Sequence, residues 1–440
     1  MTAEEEKKLG ERVLHEMEKK VEFVRDLTLH AFLDKIGQSL VAQVGPTPFE
    51  FKFYLINTLE PNAFALPGGY IFITTGLIVM AENEQEVAGV LSHEIAHVTR
   101  RHIAQLIEKG KRLNIASMVA ILAAMLAGKG GVGSQAAATM ATATAGALEL
   151  KYTREIEIDA DQNGLHYLIK AGYDPNGMIT IFNRIYKASL VLAPNIPPYL
   201  STHPAVENRI SLLENLLQTG LRTTGPFKTI RNFKKIHEKT FVEEREPQVA
   251  ITQFQSLIDS NPNDLDGYFG LGLAFRKMGR LDKSMEVLQH AHSLAPKDLD
   301  ISRELGIVYF LSGKVDQAIE ILEVIRSDPE TGEGNDLLTF YYLGRGYQEK
   351  EDFAQALHLF LKVQRGMPEF IDLYLHLGSV YGRIGQKGLS HFYYGKHFKL
   401  KGERNNALLH FRMAFKWLEK GSPEREEAQR EIKEPAPPQR

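Results

Sequence analysis

The chain has 440 residues, of which 43% are hydrophobic and 24% are charged, a composition typical of globular protein with room for two or three domains. Its formal net charge of -3 gives no reason to expect a nucleic acid as partner. The absence of cysteine excludes disulfides and zinc sites built on thiolates, and it fits an envelope compartment.

The N-terminal region is predicted to be helical and then to form a small sheet. Apolar residues recur at helical spacing over residues 4–44. Residues 49–56 alternate as a strand does, and a turn at residues 67–69 introduces a second strand at residues 70–74. The chain opens at Met1 on a polar helix without the apolar stretch of a secretory signal, so we expect either a cytoplasmic protein or one whose signal has been removed.

A His-Glu-x-x-His motif follows, on a predicted helix that begins after Asn83, where Glu86 completes a pattern resembling a capping box. Residues four apart share one face of a helix, so His93 and His97 can bind the same metal ion. Glu94 would then lie beside the metal, where it can take a proton from water. The motif indicates a zinc-dependent peptidase if a third ligand exists, because catalytic zinc usually has three protein ligands.

Four carboxylates in a later predicted helix compete to be that third ligand. Glu155 and Asp159 share a stripe with other polar residues, which predicts a solvated face. Glu157 and Asp161 lie on a stripe that is otherwise apolar, where a carboxylate is costly unless it is paired or binds metal. We therefore predict Glu157 as the zinc ligand, with Asp161 accepting the free ring N–H of His97. An ordinary acidic helix surface is the alternative.

Two later residues could complete the chemistry. His203 follows a proline-rich stretch and is predicted to lie on a loop. Either His203 or Arg209 could stabilise the oxyanion that forms when water attacks a peptide carbonyl. His203 could instead bind zinc as a fourth ligand and silence the enzyme, or it could cap the loop without a catalytic part. His102, five residues after His97, falls off the ligand stripe and is interpreted as a helix-end residue.

We predict the first part of the chain, residues 1–217, to be a zinc metallopeptidase domain. Within it, residues 113–148 combine an apolar run, a glycine-rich break and an alanine- and threonine-rich run. The apolar run is short for a membrane span, so the segment is expected to be a packed hairpin, a lid that gates substrate access or a membrane-contacting element. Residues 218–246 are predicted to be a linker.

The second half of the chain repeats itself. Leu-Gly pairs begin at residues 271, 305, 343 and 377, with spacings of 34, 38 and 34. A 34-residue helix-turn-helix period is the tetratricopeptide pattern, so an all-α superhelix with a concave binding face is predicted over residues 247–424. The charged, proline-rich residues 425–440 are predicted to be disordered.

The chain resembles the gluzincin peptidases of the HtpX and CAAX-prenyl-protease type over about residues 1–215. The motifs that carry this resemblance are the zinc motif with Glu157-x-x-Ala-Asp161, Asn62-Ala-Phe-Ala-Leu-Pro-Gly-Gly69, Ile71-Phe-Ile-Thr-Thr-Gly-Leu77, and Thr202-His-Pro with Arg209. The layout of the whole chain resembles the soluble periplasmic branch that carries helical repeats. The expected fold class is α+β and mostly helical, with a small antiparallel sheet in the peptidase domain and an all-α repeat domain after it.

The resemblance also implies a substrate site and partners. An extended substrate would pair with an edge strand at Gly69, Tyr70, Ile71 and Phe72, although these residues could simply form a hairpin strand. The resemblance implies one Zn2+ per chain, a periplasmic location with peripheral membrane contact, and an endopeptidase acting on misfolded or stalled envelope proteins. The repeats would bind substrates or the outer-membrane protein assembly machinery. The alternative is a chaperone or assembly adaptor whose peptidase activity is weak or gated.

Overall fold

A computed structural model of the chain describes residues 1–108, 153–191, 198–219, 226–229, 233–328 and 336–433. The chain divides into two compact units, Met1–Ala250 and Ile251–Arg440. The first unit is α+β and the second is all-α, which confirms the predicted fold class. The predicted insert at residues 113–148 lies outside the described residues. Among the residues that are described, no helix combines the length and the hydropathy needed to cross a membrane.

Among the described residues the sheet of the first unit has three strands, and the strand that was expected at an edge is the central one. The strands are β1 (Lys52–Ile56), β2 (Ala63–Leu66) and β3 (Tyr70–Thr74), in the order β1-β3-β2. β1 pairs with β3 in parallel and β2 pairs with β3 in antiparallel fashion, so the sheet is mixed and not wholly antiparallel.

This order corrects the predicted edge strand. Gly69, Tyr70, Ile71 and Phe72 were expected to lie at an edge, but β3 has a partner strand on each side. The segment Ala63–Leu66, which showed no clear alternation in the sequence, forms β2 and takes one side of β3. A central strand has its backbone groups engaged on both sides and leaves no edge for an added strand.

The sheet lies between two helical layers. Two helices precede it, α1 (Ala3–Met17) and α2 (Leu27–Val41), as the helical spacing predicted. Val13 and Met17 of α1 pack on one face against Phe64 and Phe72, whose rings stack with centroids 4.9 Å apart. The other face joins a larger core that includes residues of α2. Burial of such side chains contributes about 1.5–3 kcal/mol each, so these layers hold the sheet in place.

The helices that carry the site pack on the second face of the sheet and on each other. They are α3 (Thr75–Met80), α4 (Glu84–Thr99), α5 (His102–Glu108), α6 (Arg154–Lys170), α7 (Asn176–Val191), α8 (Pro198–Thr202) and α9 (Val206–Thr219). Asn83 caps α4 by accepting the backbone N–H of Glu86 at 3.1 Å. The Glu86 carboxylate accepts instead from the backbone of Glu82, at 2.8 Å, so the capping box is not reciprocal.

Close contact between α4 and α6 depends on Gly164. A Cβ atom at this position would lie 2.9 Å from the backbone oxygen of Ser92 and 3.0 Å from the backbone nitrogen of His93. Real Cβ atoms do not approach backbone atoms so closely, so any larger residue would push the two helices apart. The glycine therefore lets α6 lie directly against the turn of α4 that carries the motif.

The predicted linker contains a helix. The helix α10 (Phe233–Glu244) lies inside residues 218–246, and its Phe233 and Ile236 are buried in the core of the first unit. His237 of α10 lies 2.9 Å, by its Nε2 atom, from the backbone oxygen of Val79. Few apolar residues mark this segment in the sequence, but they share one face and suffice to dock the helix.

The described part of the second unit consists of consecutive helices. They are α11 (Pro247–Ser260), α12 (Leu265–Lys277), α13 (Leu281–Leu294), α14 (Leu299–Leu311), α15 (Val315–Ser327), α16 (Leu337–Glu349), α17 (Phe353–Gly366), α18 (Ile371–Arg383), α19 (Lys387–Leu400), α20 (Arg404–Trp417) and α21 (Pro423–Lys433). In each repeat the glycine of the Leu-Gly pair contacts the side chain sixteen residues later, in the pairs Gly272–Leu288, Gly306–Leu322, Gly344–Phe360 and Gly378–Tyr394. This constant offset is the structural basis of the sequence repeat.

The helix α21 corrects the prediction of disorder for residues 425–433. Ala428 of this helix is fully buried. Lys396 pairs with Glu427 at 3.0 Å, and Lys399 pairs with Glu431 at 2.6 Å. The segment is too polar for its sequence to show the apolar periodicity of a packed helix. The buried Ala428 and the two ion pairs to α19 hold it in place.

Candidate metal centre

Two imidazoles of α4 point to a common position inside the first unit. His93 and His97 lie one turn apart and are 0% and 1% exposed. Their Nε2 atoms are 3.0 Å apart. Ligand atoms that each stand about 2.0–2.1 Å from a tetrahedral zinc are about 3.3–3.4 Å from one another. The two nitrogens therefore have nearly the separation that one zinc ion requires.

The carboxylate of Glu157 lies beside both histidines. Its Oε1 atom lies 3.4 Å from Nε2 of His97, and its Oε2 atom lies 3.7 Å from Nε2 of His93. Of the four competing carboxylates, Glu157 is the one that faces both histidines, whereas Glu155 is exposed. The structure thus brings together the three residues that the sequence predicted as zinc ligands.

His203 joins the same group. The ligand atoms of His93, His97, Glu157 and His203 all lie within 4.8 Å of one another, and all four residues are buried. Nε2 of His203 lies 3.5 Å from Oε1 of Glu94. Its other ring nitrogen, Nδ1, lies 2.8 Å from Oγ1 of Thr202 and 3.1 Å from the backbone oxygen of Tyr199. His203 follows the last residue of α8, where the sequence had predicted a loop.

Buried oxygens at the centre provide a test of whether these residues fit a cation. Glu94 is 0% exposed, and neither of its carboxylate oxygens accepts a hydrogen bond from a described residue. Burying an ionised carboxylate without a donor or a cation is costly. Three imidazoles and two carboxylates are also the donor types that zinc prefers. The arrangement fits zinc.

The pKa values of these groups follow from burial. Burial lowers the pKa of His93 and His97 well below the usual range, and the neighbouring charges of Arg209 and His102 act in the same direction. Both rings are therefore neutral, as metal ligands must be. Burial raises the pKa of Glu157 to about 7, against the opposing charge of Arg209. Burial and the charge of Glu157 raise the pKa of Glu94 well above its usual range.

Asp161 contacts a histidine of the motif, but not the one that was predicted. Nδ1 of His93 lies 2.9 Å from Oδ1 of Asp161, whereas His97 was the expected partner. The lateral position of α6 against α4 determines which histidine Asp161 contacts. Helical periodicity within one helix gives the face on which Asp161 lies and carries no information about the register between two helices.

Arg209 holds the carboxylates of the centre. Its Nε and Nη2 atoms donate to the two oxygens of Asp161, each at 2.7 Å, and its Nη1 atom pairs with Oε2 of Glu157. The guanidinium is fully buried and lies over the ring of Phe182 at 4.8 Å. Because its donors are engaged by Asp161 and Glu157, its position favours support of the ligand Glu157 over contact with an oxyanion.

Two residues that the sequence set aside also reach the centre. His102 is buried, and its Nδ1 atom lies 2.9 Å from Nδ1 of His97. Its Nε2 atom lies 3.0 Å from Oδ2 of Asp159, a residue predicted to lie on a solvated face. The helix break after Thr99 creates this contact, and only the pairing of His102 with an acidic residue on a later helix could have suggested it.

Tyr199 was not identified from the sequence at all. It is fully buried, and its ring stacks on His203 with centroids 4.4 Å apart. Its hydroxyl has no hydrogen-bond partner among the described residues. The tyrosine therefore supports His203 in two ways, through ring stacking and through its backbone oxygen.

Comparison with protein families places the site in a known group. Residues 28–217 match the model of Peptidase family M48. Residues 239–298 and 275–338 match models of tetratricopeptide repeats. The residues of the proposed metal centre, from His93 to Arg209, all lie within the matched peptidase region.

Curated relatives carry corresponding names. A putative beta-barrel assembly-enhancing protease of Vibrio cholerae serotype O1 is 35% identical over 48% of this chain and 44% of its own length. A beta-barrel assembly-enhancing protease of Escherichia coli strain K12 is 29% identical over 48% of this chain and 43% of its own length. A mitochondrial metalloendopeptidase of Schizosaccharomyces pombe is 28% identical over 47% of this chain and 60% of its own length.

The chain spans less than half of the length of the two bacterial relatives. The match to the peptidase model and the geometry of the metal centre agree on the first unit, and the repeat models agree with the helices of the second. The first unit therefore combines a match to Peptidase family M48 with the side-chain grouping of a metallopeptidase, and the second unit matches tetratricopeptide repeats.

Proposed function

We propose that this protein is a zinc-dependent endopeptidase that binds one Zn2+ per chain through His93, His97 and Glu157. The observation that carries the proposal is the convergence of these three side chains at the mutual distances that one zinc ion requires, beside the buried carboxylate of Glu94. When bound, zinc supplies a Lewis acid that lowers the pKa of water and polarises a peptide carbonyl.

Glu94 is the general base in this proposal. It follows the ligand His93 directly, and neither of its buried oxygens accepts a hydrogen bond from a described residue. It takes a proton from the attacking water and delivers that proton to the nitrogen of the leaving amine. A neutral leaving amine is needed because an amide anion is too basic to depart. Asp161 and Arg209 keep His93 and Glu157 in place during these steps.

We further propose that His203 is a fourth ligand that keeps the resting site latent. Two oxygen atoms lie near Nδ1 of His203, and one of them, the backbone oxygen of Tyr199, can only accept a hydrogen bond. Nδ1 therefore carries the ring proton. In the neutral ring, Nε2 then presents a lone pair toward the group of ligands. A lone pair can bind a cation, whereas an oxyanion requires a hydrogen-bond donor. Of the two roles considered for His203, the tautomer therefore favours ligation.

The substrate strand is proposed to pair with β2 in place of β3. β2 lies at the end of the sheet order, with β3 on one side, and it packs on the helix α4 that carries the motif. An extended peptide added to an outer strand gains backbone hydrogen bonds irrespective of its sequence. This mode of binding suits an endopeptidase that must accept many different segments of unfolded protein.

The physiological setting is proposed from the relatives. Two of them are named for enhancing beta-barrel assembly, so we propose misfolded or stalled envelope proteins as substrates and the periplasm as location. The tetratricopeptide repeats would bind these substrates or the assembly machinery of outer-membrane proteins. Peripheral membrane contact by residues 113–148 remains part of the proposal, although this segment lies outside the described residues.

The test is zinc content together with cleavage of an unfolded protein, comparing the wild type with Glu94→Gln. We expect one zinc per chain in both proteins and cleavage by the wild type alone, because the amide of glutamine cannot accept the proton. Treatment with a chelator should remove cleavage and added zinc should restore it. Absence of zinc from the wild type, or equal cleavage by Glu94→Gln, would contradict the proposal.

The second candidate function is a chaperone or assembly adaptor with weak or gated peptidase activity. It is favoured by the repeats and by the buried His203 at the centre. The same Glu94→Gln variant separates the two candidates in cells that lack the native protein. Full complementation by Glu94→Gln would support the adaptor, and loss of complementation would support the peptidase.

A further inference from the structure

His102 occupies a position that the hydrolytic mechanism does not use. It lies next to the ligand His97, on the side of that ring opposite to the other ligands, and only 1% of its surface is exposed. A polar ring buried beside a metal ligand has to be satisfied by hydrogen bonds on both nitrogens. His97 on one side of the ring and Asp159 on the other provide these partners.

The backbone is shaped to bring His102 there. In an unbroken helix, residues five apart point about 140° away from each other, so His102 could not face His97. The helix α4 instead ends at Thr99, and α5 begins at His102. Between them Arg101 adopts a φ of 53°, a left-handed conformation that a non-glycine residue keeps only where the surroundings compensate for it. The break turns His102 back onto His97.

The tautomers of the two rings follow from the metal position. Nε2 of His97 faces Glu157 and His93, so this nitrogen is the ligand and carries no proton. Nδ1 of His97 therefore carries the ring proton and donates it to Nδ1 of His102. The ring of His102 must then carry its own proton on Nε2, which donates to Oδ2 of Asp159 at 3.0 Å. Every donor in this sequence of bonds has an acceptor.

Asp159 is itself held at the outer end. Nε of Arg100 donates to Oδ2 of Asp159 at 2.7 Å, and Nδ2 of Asn163 lies 3.3 Å from Oδ1. The side chain of Asp159 is one-third exposed, so the bonded sequence runs from the buried ligand to the surface of the unit. His93 has a more direct carboxylate neighbour, because its Nδ1 atom lies 2.9 Å from Oδ1 of Asp161. Each of the two histidines of the motif thus has its own polar neighbour at Nδ1.

We propose that His102 is a positioning residue for the zinc centre: it accepts the Nδ1–H group of His97 and, anchored by Asp159, holds Nε2 of His97 toward the metal. The inference rests on the proposed function, because it assigns a role at that zinc site. Fixing the tautomer and the angle of a ligating imidazole typically accounts for a 10–100-fold difference in metal affinity.

The experiment measures the zinc dissociation constant of the full chain by competition with a chelator. The variants are His102→Leu, which removes the acceptor, and His102→Asn, whose side-chain oxygen lies at about the place of Nδ1. His166→Leu is the control, since His166 is an exposed histidine on the same helix as Asp159. We expect about 10–100-fold weaker zinc binding for His102→Leu, near wild-type binding for His102→Asn and no change for the control.

Nitrogen NMR of the histidine rings in the zinc-loaded wild type provides a second measurement, which a merely structural role would not predict. We expect His102 to carry its proton on Nε2 and to accept at Nδ1. Absence of zinc from the wild type would overturn the proposed function. With zinc present, equal affinity of His102→Leu and the control, or a proton on Nδ1 of His102, would overturn the inference. If His102→Leu does not fold, the NMR tautomer and the affinity of His102→Asn decide in the same way.

Discussion

At the residue scale, the proposed ligand His203 determines how many coordination positions of zinc remain for water and substrate. Three protein ligands leave one position of a tetrahedral zinc open, whereas four protein ligands close it. Nδ1 of His203 is held by the backbone oxygen of Tyr199, so the ring is fixed with Nε2 directed inward. If His203 binds zinc as proposed, catalysis requires that this ring leave the centre.

We therefore expect His203→Ala to cleave an unfolded protein faster than the wild type while keeping one zinc per chain. Each 1.4 kcal/mol of lost competing ligation should raise the rate by about tenfold, so an increase of one order of magnitude or more is expected. Zinc affinity should fall at the same time, because one ligand is removed. Initial cleavage rates at equal zinc occupancy provide the measurement.

The matched control is His237→Ala, which removes a partly buried histidine that contacts the backbone of Val79 in α3. It should change neither the cleavage rate nor the zinc content beyond a modest loss of stability. A lower rate for His203→Ala, with zinc retained, would contradict latency and would support an oxyanion role for His203.

The residues found from the sequence share a physical property. His93 and His97 are related by spacing within α4, and Glu157 was selected by the periodicity within α6, both of which a linear pattern can show. The partner of Asp161 depends on the register between α4 and α6, and the position of His102 depends on the left-handed residue Arg101. A local sequence pattern predicts neither the register between α4 and α6 nor the position of His102, so the structure had to provide both.

Packing between elements sets that register, and Gly164 is the position where it can be tested. The variant Gly164→Val would place a branched side chain within about 3 Å of the α4 backbone at Ser92 and His93. Backbone cannot yield as a flexible side chain does, so α6 should shift and carry Glu157 away from the histidines. We expect a loss of about 1–3 kcal/mol in stability and weaker zinc binding.

The control for this element is Gly45→Val, because a Cβ atom at Gly45 would meet nothing within 4 Å. Urea unfolding and zinc competition should both separate the two variants. Normal zinc affinity in Gly164→Val would show that α6 can adapt without moving Glu157, and would contradict the role assigned to this close contact.

At the scale of elements, the helices and repeats were predicted better than the strand order of the sheet. Long amphipathic helices and a 34-residue repeat leave strong periodic signals, and those elements were found. The strand β2 has four residues, all buried, so it shows no alternation between apolar and polar side chains. Its pairing with β3 moved the expected substrate strand from the edge to the centre of the sheet.

At the scale of the whole molecule, zinc and the repeats belong to different compact units. The metal centre lies within Met1–Ala250, and the helices from α12 onward lie within Ile251–Arg440. A ligand stabilises the folded unit that binds it, by about 2.7 kcal/mol when its concentration is a hundred times the dissociation constant. Removal of zinc should therefore destabilise the first unit selectively.

The chain contains one tryptophan, Trp417, and it lies in α20 of the second unit. Its fluorescence consequently reports the unfolding of that unit, whereas circular dichroism reports both. We expect a chelator to lower the midpoint of part of the dichroism transition and to leave the Trp417 transition unchanged. Gly344→Val should do the reverse, because a Cβ atom at Gly344 would lie 2.6 Å from the ring of Phe360. If the midpoints of the fluorescence and dichroism transitions shift together under each treatment, the two units unfold as one cooperative structure. The prediction that they unfold independently would then be wrong.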